Sequence, residues 1–194
     1  MTRSAGVARA TKETDVKVEL ALDGSGETSA DTGVPFFDHM LEQLGKHAGW
    51  DLAVTCSGDL DVDGHHTVED VGIAIGQALR EALGNKAGVR RFASILVPLD
   101  EAAVEVALDL SGRAFVVHEV DVPAETIGTF DSGLVEDFVR AFAQAAELTV
   151  HVRLRSGRSP HHVVEAEFKA LATALGDACS LGGPGGIPST KGTL

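Results

Sequence analysis

Apolar residues along this chain follow two rhythms, and each rhythm occurs twice. Alternate positions are apolar from Val18 to Leu22, and the same alternation recurs from Val104 to Leu108. The stretches Val18-Glu19-Leu20-Ala21-Leu22-Asp23-Gly24-Ser25-Gly26 and Val104-Glu105-Val106-Ala107-Leu108-Asp109-Leu110-Ser111-Gly112 are identical at seven of nine positions. A period of two that ends in a Ser-Gly turn predicts a half-buried strand. Each strand precedes a helical pattern: Phe37, Met40, Leu41 and Leu44 in one copy, Val135, Phe138, Val139 and Phe142 in the other. A short second strand follows, carried by Leu52, Val54 and Cys56 or by Leu148, Val150 and Val152. A second helical stripe closes each copy, with Val68, Val71, Ile75, Leu79 and Ala82 matched by Val164, Phe168, Leu171, Leu175 and Ala178. The pattern predicts an α+β fold of two fused, similar halves, each a strand-helix-strand-helix unit with one or two leading strands. Sheet and helices then form two layers.

The halves are expected over 1–88 and 89–180, with a linker near Gly84 to Arg91. Each alone is close to the lower size limit for a stable core, so the two are expected to pack as one body. The Gly- and Pro-rich tail, 181–194, reads as a loop that orders on a ligand.

The second helix of each copy opens on the same string. His65-His66-Thr67-Val68-Glu69 and His161-His162-Val163-Val164-Glu165 together hold four of the eight histidines. Positions i and i+4 share a helix face, so His65 with Glu69, and His161 with Glu165, can each grip one ion. His66 and His162 point about 100° away around the axis and are free to serve a second ion. A single His-His pair is more often a helix cap or a solvated surface. Two copies in register predict a two-metal site made of two half-sites. Imidazole and carboxylate ligands without thiolates suit Mn²⁺, Fe²⁺ or Zn²⁺, and an octahedral shell favours the first two.

Alignment of the first helices pairs His39 with Asp137, and a duplicated site calls for a ligand at both. His47 reads as a cation at its helix C-terminus. His151 reads as a surface residue, and His118 carries no signal. Cys56 and Cys179 form no CxxC and read as core thiols, which favours a reducing, cytoplasmic location. The formal net charge of −13 argues against nucleic-acid and anionic-membrane partners. Residues 1–12 are polar and small, and no apolar run approaches about 18 residues, so neither a signal peptide nor a membrane span is expected.

Against this acidic background a few basic and hydroxyl-bearing groups fall in loops: Arg90-Arg91, Arg113 after a Ser-Gly turn, and Ser189-Thr190-Lys191 in the tail. A guanidinium binds phosphate with two parallel hydrogen bonds, and Ser, Thr and Lys add donors. The set suggests an anion pocket. Glu13 and Lys169 are candidates for proton transfer. Lys169 also lies one turn beyond Glu165, where an i,i+4 salt bridge is the plainer reading.

Several strings then resemble one family. They are Thr11-Lys12-Glu13-Thr14, Gly33-Val34-Pro35-Phe36-Phe37-Asp38-His39-Met40-Leu41, the two histidine strings, Pro98-Leu99-Asp100-Glu101, Asp109-Leu110-Ser111-Gly112-Arg113, Phe168-Lys169-Ala170 and Pro188-Ser189-Thr190-Lys191-Gly192. From about Ala8 to Leu194 the chain resembles the imidazoleglycerol-phosphate dehydratases of histidine biosynthesis. The resemblance implies a fold like the second domain of ribosomal protein S5. It implies dehydration of D-erythro-1-(imidazol-4-yl)glycerol 3-phosphate, with two Mn²⁺ ions per active site. It also implies sites shared between subunits of a 24-subunit shell.

By match of position, the metal ligands would be His39, His65, His66, Glu69, His161, His162 and Glu165. Glu13, Lys169, His65 and His161 would be catalytic. Glu13, His39, His47, Arg91, Arg113, Lys169, Ser189, Thr190 and Lys191 would contact the substrate, the basic and hydroxyl groups of the loops through its phosphate. Relatives often carry a histidine where this chain has Asp137, so either the carboxylate ligates or water takes that vertex. The bland alternatives are a two-metal phosphate-ester hydrolase and a non-catalytic metal-binding shell.

Overall fold

The computed structural model describes residues 3–121, 123–183 and 185–194. The first half runs β1 (Ser4–Ala10), β2 (Thr14–Ala21), β3 (Thr28–Asp31), α1 (Pro35–Ala48), β4 (Asp51–Gly58) and α2 (His65–Leu83). The second runs β5 (Phe92–Leu99), β6 (Ala102–Asp109), β7 (Phe115–Glu119), a small hairpin β8 (Thr126–Ile127) and β9 (Phe130–Asp131), α3 (Leu134–Ala146), β10 (Thr149–Ser156) and α4 (Pro160–Cys179). The two four-stranded sheets have equivalent orders, β1-β2-β4-β3 and β5-β6-β10-β7. In each, the last strand runs parallel to its neighbour, β3 beside β4 and β7 beside β10. A parallel neighbour needs a crossover, which α1 and α3 supply.

Three strands of the main sheet, not one or two, precede the first helix of each half, and the second half adds the β8–β9 hairpin. The extra strands lie at sheet edges and carry weak patterns. β3 reads Thr-Ser-Ala-Asp, and β7 is half-buried at three successive positions. Neither offers the alternation by which a strand is recognised. The central strands do: Val16, Val18 and Leu20 of β2 are buried while Asp15, Lys17 and Glu19 face out.

Each half is a sheet with its helices laid on one face, and the halves meet through those helices. α2 packs on α3, and α1 on α4, so both helix pairs cross the boundary between halves. Glycine permits the closest approach: a Cβ on Gly76 would stand 2.5 Å from the Phe142 carbonyl oxygen and 2.8 Å from the Ala145 Cβ. Four phenylalanines form one continuous core. Phe138 of α3 meets Phe37 of α1 at 5.6 Å and Phe168 of α4 at 5.2 Å between ring centres, and Phe130 from the hairpin stacks on Phe37 at 5.8 Å. Burying each such ring contributes on the order of 2–3 kcal/mol. Among the described residues, no helix is long and apolar enough to cross a membrane. The described residues of the segment 181–194 form no strand or helix, only an isolated bridge from Leu181 to Val89.

Candidate active site

Both histidine strings lie at helix N-termini, where loop groups fix their geometry. The His65 N–H donates to Asp63 Oδ1 at 2.8 Å. In α4, Pro160 occupies the first turn and the Ser159 hydroxyl accepts from the His162 N–H at 3.5 Å, a cap suited to its orphan donors.

The second histidine of each string is held by a carboxylate through Nδ1. His66 Nδ1–H donates to Asp59 at 3.0 Å, and His162 Nδ1–H to Glu101 at 2.7 Å. These bonds raise the pKa of both rings and, with the Ser159 N–H, pull Glu101 down to about 2. A carboxylate on Nδ1 sets the tautomer and turns Nε2 outward, the arrangement around metal-binding imidazoles. Each Nε2 then faces a carboxylate on a β-turn: Glu13 stands 3.8 Å from His66 and Asp100 3.9 Å from His162. The Glu13 turn is tied to α2 by Asp70, which accepts from the Thr14 hydroxyl and from Arg9, the latter pair 2.8 Å apart.

The first histidine of each string joins a helix from the other half. His65 Nδ1 lies 3.6 Å from Asp137 Oδ2 of α3, and Glu69 is exposed one turn on. His161 Nε2 lies 3.4 Å from Glu165 Oε2, and Lys169 donates to Glu165 Oε1 at 2.7 Å. From α1, Gln43 reaches Glu165 and His39, and His47 Nε2 meets Gln43 Oε1 at 2.7 Å. The structure therefore sets His65 beside Asp137 across α2/α3, with Glu69 one turn along α2, and His161 beside Glu165 on α4, with His39 of α1 linked to Glu165 through Gln43. Burial opposes the charge of Glu165, but the hydrogen bond and charge of Lys169, with His39 and His161, lower its pKa overall. Burial and the nearby Lys169 charge lower that of His47. Phe36 sets its ring edge-on to His161 at 5.0 Å.

These donors are imidazole nitrogens and carboxylate oxygens, a set that fits a hard or borderline divalent ion. Among the described residues of one chain, no group of three or more His, Cys, Asp or Glu side chains is arranged to hold an ion. A single chain offers exposed pairs, not a closed shell.

The anion-binding candidates come together elsewhere. A cavity of about 760 Å³ is lined by Arg90, Arg91, Arg113, Ser189, Thr190 and Lys191, and none of the half-site histidines lines it. Arg91 is committed to structure as well: it forms a fork on Asp109 at 2.7 and 3.1 Å, donates to the Pro188 carbonyl at 2.6 Å and lies over the Phe92 ring. It thereby ties the tail to the second sheet. His118, which carries no signal in the sequence, forms a buried pair with Glu167 at 2.9 Å. His151 alternates on β10, half-buried.

Asp59, Glu101, Gln43 and Phe36 are the residues that sequence reasoning left without a role. Only Gln43 had a usable signal, since His39, Gln43 and His47 are spaced by four along one helix face. Asp59 and Glu101 act across the fold from loops with no spacing to mark them.

A duplicated α+β scaffold that offers two related imidazole–carboxylate clusters, and a separate cationic cavity, defines an enzyme class rather than a binding module. The sequence model of the imidazoleglycerol-phosphate dehydratase family matches residues 32–175. The imidazoleglycerol-phosphate dehydratase of Acidothermus cellulolyticus is 56% identical over 99% of this chain and 93% of its own length. That of Frankia casuarinae is 57% identical over the full length of both. Crystal structures of the enzymes from Pyrococcus furiosus and Staphylococcus aureus each superpose with a TM-score of 0.84. They are 34% and 35% identical, covering 97% and 92% of this chain and 100% and 99% of their own. The chain belongs to the imidazoleglycerol-phosphate dehydratase family. It is a hydro-lyase of histidine biosynthesis.

Proposed function

We propose that this hydro-lyase converts D-erythro-1-(imidazol-4-yl)glycerol 3-phosphate to 3-(imidazol-4-yl)-2-oxopropyl phosphate with two Mn²⁺ ions per active site, in a 24-subunit shell of identical chains in the cytoplasm. The observation that supports this most directly is the pair of exposed half-sites, each flanked by a histidine whose Nδ1 is locked and whose Nε2 is presented outward. His65, Glu69 and Asp137 would hold one ion, and His39, His161 and Glu165 the other. His162 and His66 would complete the two shells from neighbouring copies. The two cysteines are free, as a reducing compartment requires.

When bound, the ions would supply positive charge that acidifies the ring N–H of the substrate's imidazole. The chain's own groups do the rest. Arg113, Lys191, Ser189 and Thr190, with Arg91 behind them, hold the phosphate, while Lys169 and His47 contact the substrate beside Glu165. The ring gives up its N–H proton, and the hydroxyl on the adjacent carbon leaves as water with a proton from Glu13, giving a conjugated diazafulvene. The next carbon then returns its C–H proton to Glu13 and the ring nitrogen is reprotonated, which gives an enol that ketonises. Glu13→Gln should lower kcat by about 10²–10⁴-fold. Turnover within about threefold of the wild type would remove Glu13 from the mechanism, and release of inorganic phosphate would replace dehydration with ester hydrolysis.

A further inference from the structure

Glu13 and Glu101 occupy the same place in the two halves, each directly before the second strand of its sheet. Their side chains are used differently. Glu101 anchors its own turn: it accepts from the Ser159 N–H at 2.9 Å, the Arg158 N–H at 3.3 Å and His162 Nδ1 at 2.7 Å. Glu13 accepts no hydrogen bond among the described residues and faces His66 Nε2 across 3.8 Å. A carboxylate left open in this way cannot hold its own turn, so another group must.

A chain of hydrogen bonds that ends on a buried carboxylate does so. Arg9 donates to Asp70 Oδ1 from Nε at 3.0 Å, with Nη2 2.8 Å away, which leaves Oδ2 to accept the Thr14 hydroxyl. With its proton committed there, Thr14 Oγ1 accepts from the Thr11 hydroxyl at 3.2 Å. Thr11 Oγ1 in turn accepts the Glu13 N–H at 3.1 Å and the Thr14 N–H at 3.0 Å. Asp70 and Thr14 are both buried. The other half fills the same places with apolar residues. Ala102 opens β6 as Thr14 opens β2, and Val97 pairs with the third residue of β6 as Arg9 pairs with the third of β2. Ala166 follows His161 by five positions, as Asp70 follows His65. The scaffold therefore closes without this polar cluster, and apolar side chains in place of a buried ion pair are often as stable or more so. Its presence in the half that carries Glu13 calls for a reason other than folding.

We infer that Asp70 is a positioning residue for Glu13, holding the β1–β2 turn through Thr14 and Thr11 so that the Glu13 carboxylate stays free to move a proton. The role rests on the proton transfer assigned to Glu13 above. It is tested by steady-state dehydration kinetics on the full-length enzyme. The variants are Glu13→Gln, a triple variant that copies the other half (Arg9→Val, Thr14→Ala, Asp70→Ala), and the triple variant combined with Glu13→Gln. The triple variant should lower kcat by about 10–100-fold with KM within about threefold of the wild type, the scale of a reacting group misplaced by about 1 Å. The combined variant should be no slower than Glu13→Gln alone, because the cluster acts through Glu13. Thr14→Val breaks one link with little change of shape and should lower kcat by about 3–10-fold; it carries the test if the triple variant does not fold. Wild-type kcat in the triple variant, or in Thr14→Val in its place, would overturn the inference alone, as would losses that multiply in the combined variant. Wild-type turnover in Glu13→Gln would overturn the proton role and this inference with it.

Discussion

One and two turns beyond Asp137, α3 carries Ala141 and Ala145; one and two turns beyond His39, α1 carries Gln43 and His47. The partner helices differ in the same way. Ile73 follows His65-His66 on α2 at the position where Lys169 follows His161-His162 on α4. On α2/α3, Gly72 and Gly76 bring the backbones close enough that a Cβ would stand 3.0 Å and 2.5 Å from carbonyl oxygens of α3. No room is left there for an amide or an ammonium. On α1/α4 the matching helix positions are Phe168 and Ala172, and polar side chains occupy the space above them. Beside the histidine strings one copy of the repeat is a close-packed seam and the other a polar spine; the α1/α4 pair closes up only further along, where a Cβ on Gly176 would stand 2.6 Å from the Ala48 carbonyl oxygen. The donor sets proposed for the two ions differ as well, two carboxylates and one imidazole against two imidazoles and one carboxylate.

Removing divalent ions should have the largest effect. EDTA treatment should abolish turnover, and added Mn²⁺ should restore it; an EDTA-treated enzyme with full activity would sink the two-metal reading. Asp137→Ala should weaken the site on α2/α3 by at least about 10-fold in an Mn²⁺ titration. Asp137→His should bring it toward the affinity of the other site, and an unchanged profile in both variants would leave water, not Asp137, at that vertex.

The packing difference is smaller. Gly76→Ala should lower unfolding stability by about 1–2 kcal/mol, because overpacking outweighs the better helix propensity of alanine. Ala172→Gly should cost about 1–2 kcal/mol, from helix propensity and a lost buried methyl group. Urea unfolding in which Gly76→Ala is as stable as the wild type would erase the close-packed seam.

The smallest effect concerns His118, a buried group in the second half. Burial works against its charge, but the hydrogen bond that its Nε2–H donates to Glu167, then the charges of Glu167 and Glu136, raise its pKa above the ordinary 6.5. Its contribution is therefore fully present below the unfolded imidazole value and is lost as pH rises through the raised folded value. The Tm gap between wild type and His118→Gln should be widest near about pH 6, about 2–4 °C, and should close as the pH is raised. A gap that widens with pH would reverse the assigned charge state.

Much of this was legible in the chain. The alternation of Val16, Val18 and Leu20, and the stripe through Val68, Val71 and Ile75, report burial directly, because one face of each element must leave water. The histidine strings were legible because i and i+4 share a face. β3 and β7 were not, since edge strands need no buried alternation. Asp59 and Glu101 were not, since each reaches its histidine across a loop.

By itself, the amino-acid sequence determined the duplicated architecture, the family, and which imidazoles and carboxylates share a helix face. These follow from local periodicity and from residue identity. Only the tertiary structure decided that each helix pair joins the two halves, so that Asp137 stands by His65 while His39 is linked through Gln43 to Glu165. It alone gathered Arg90, Arg113 and Lys191 around one cavity. Such pairings depend on how buried faces fit together over long sequence separations, and no local pattern encodes that fit.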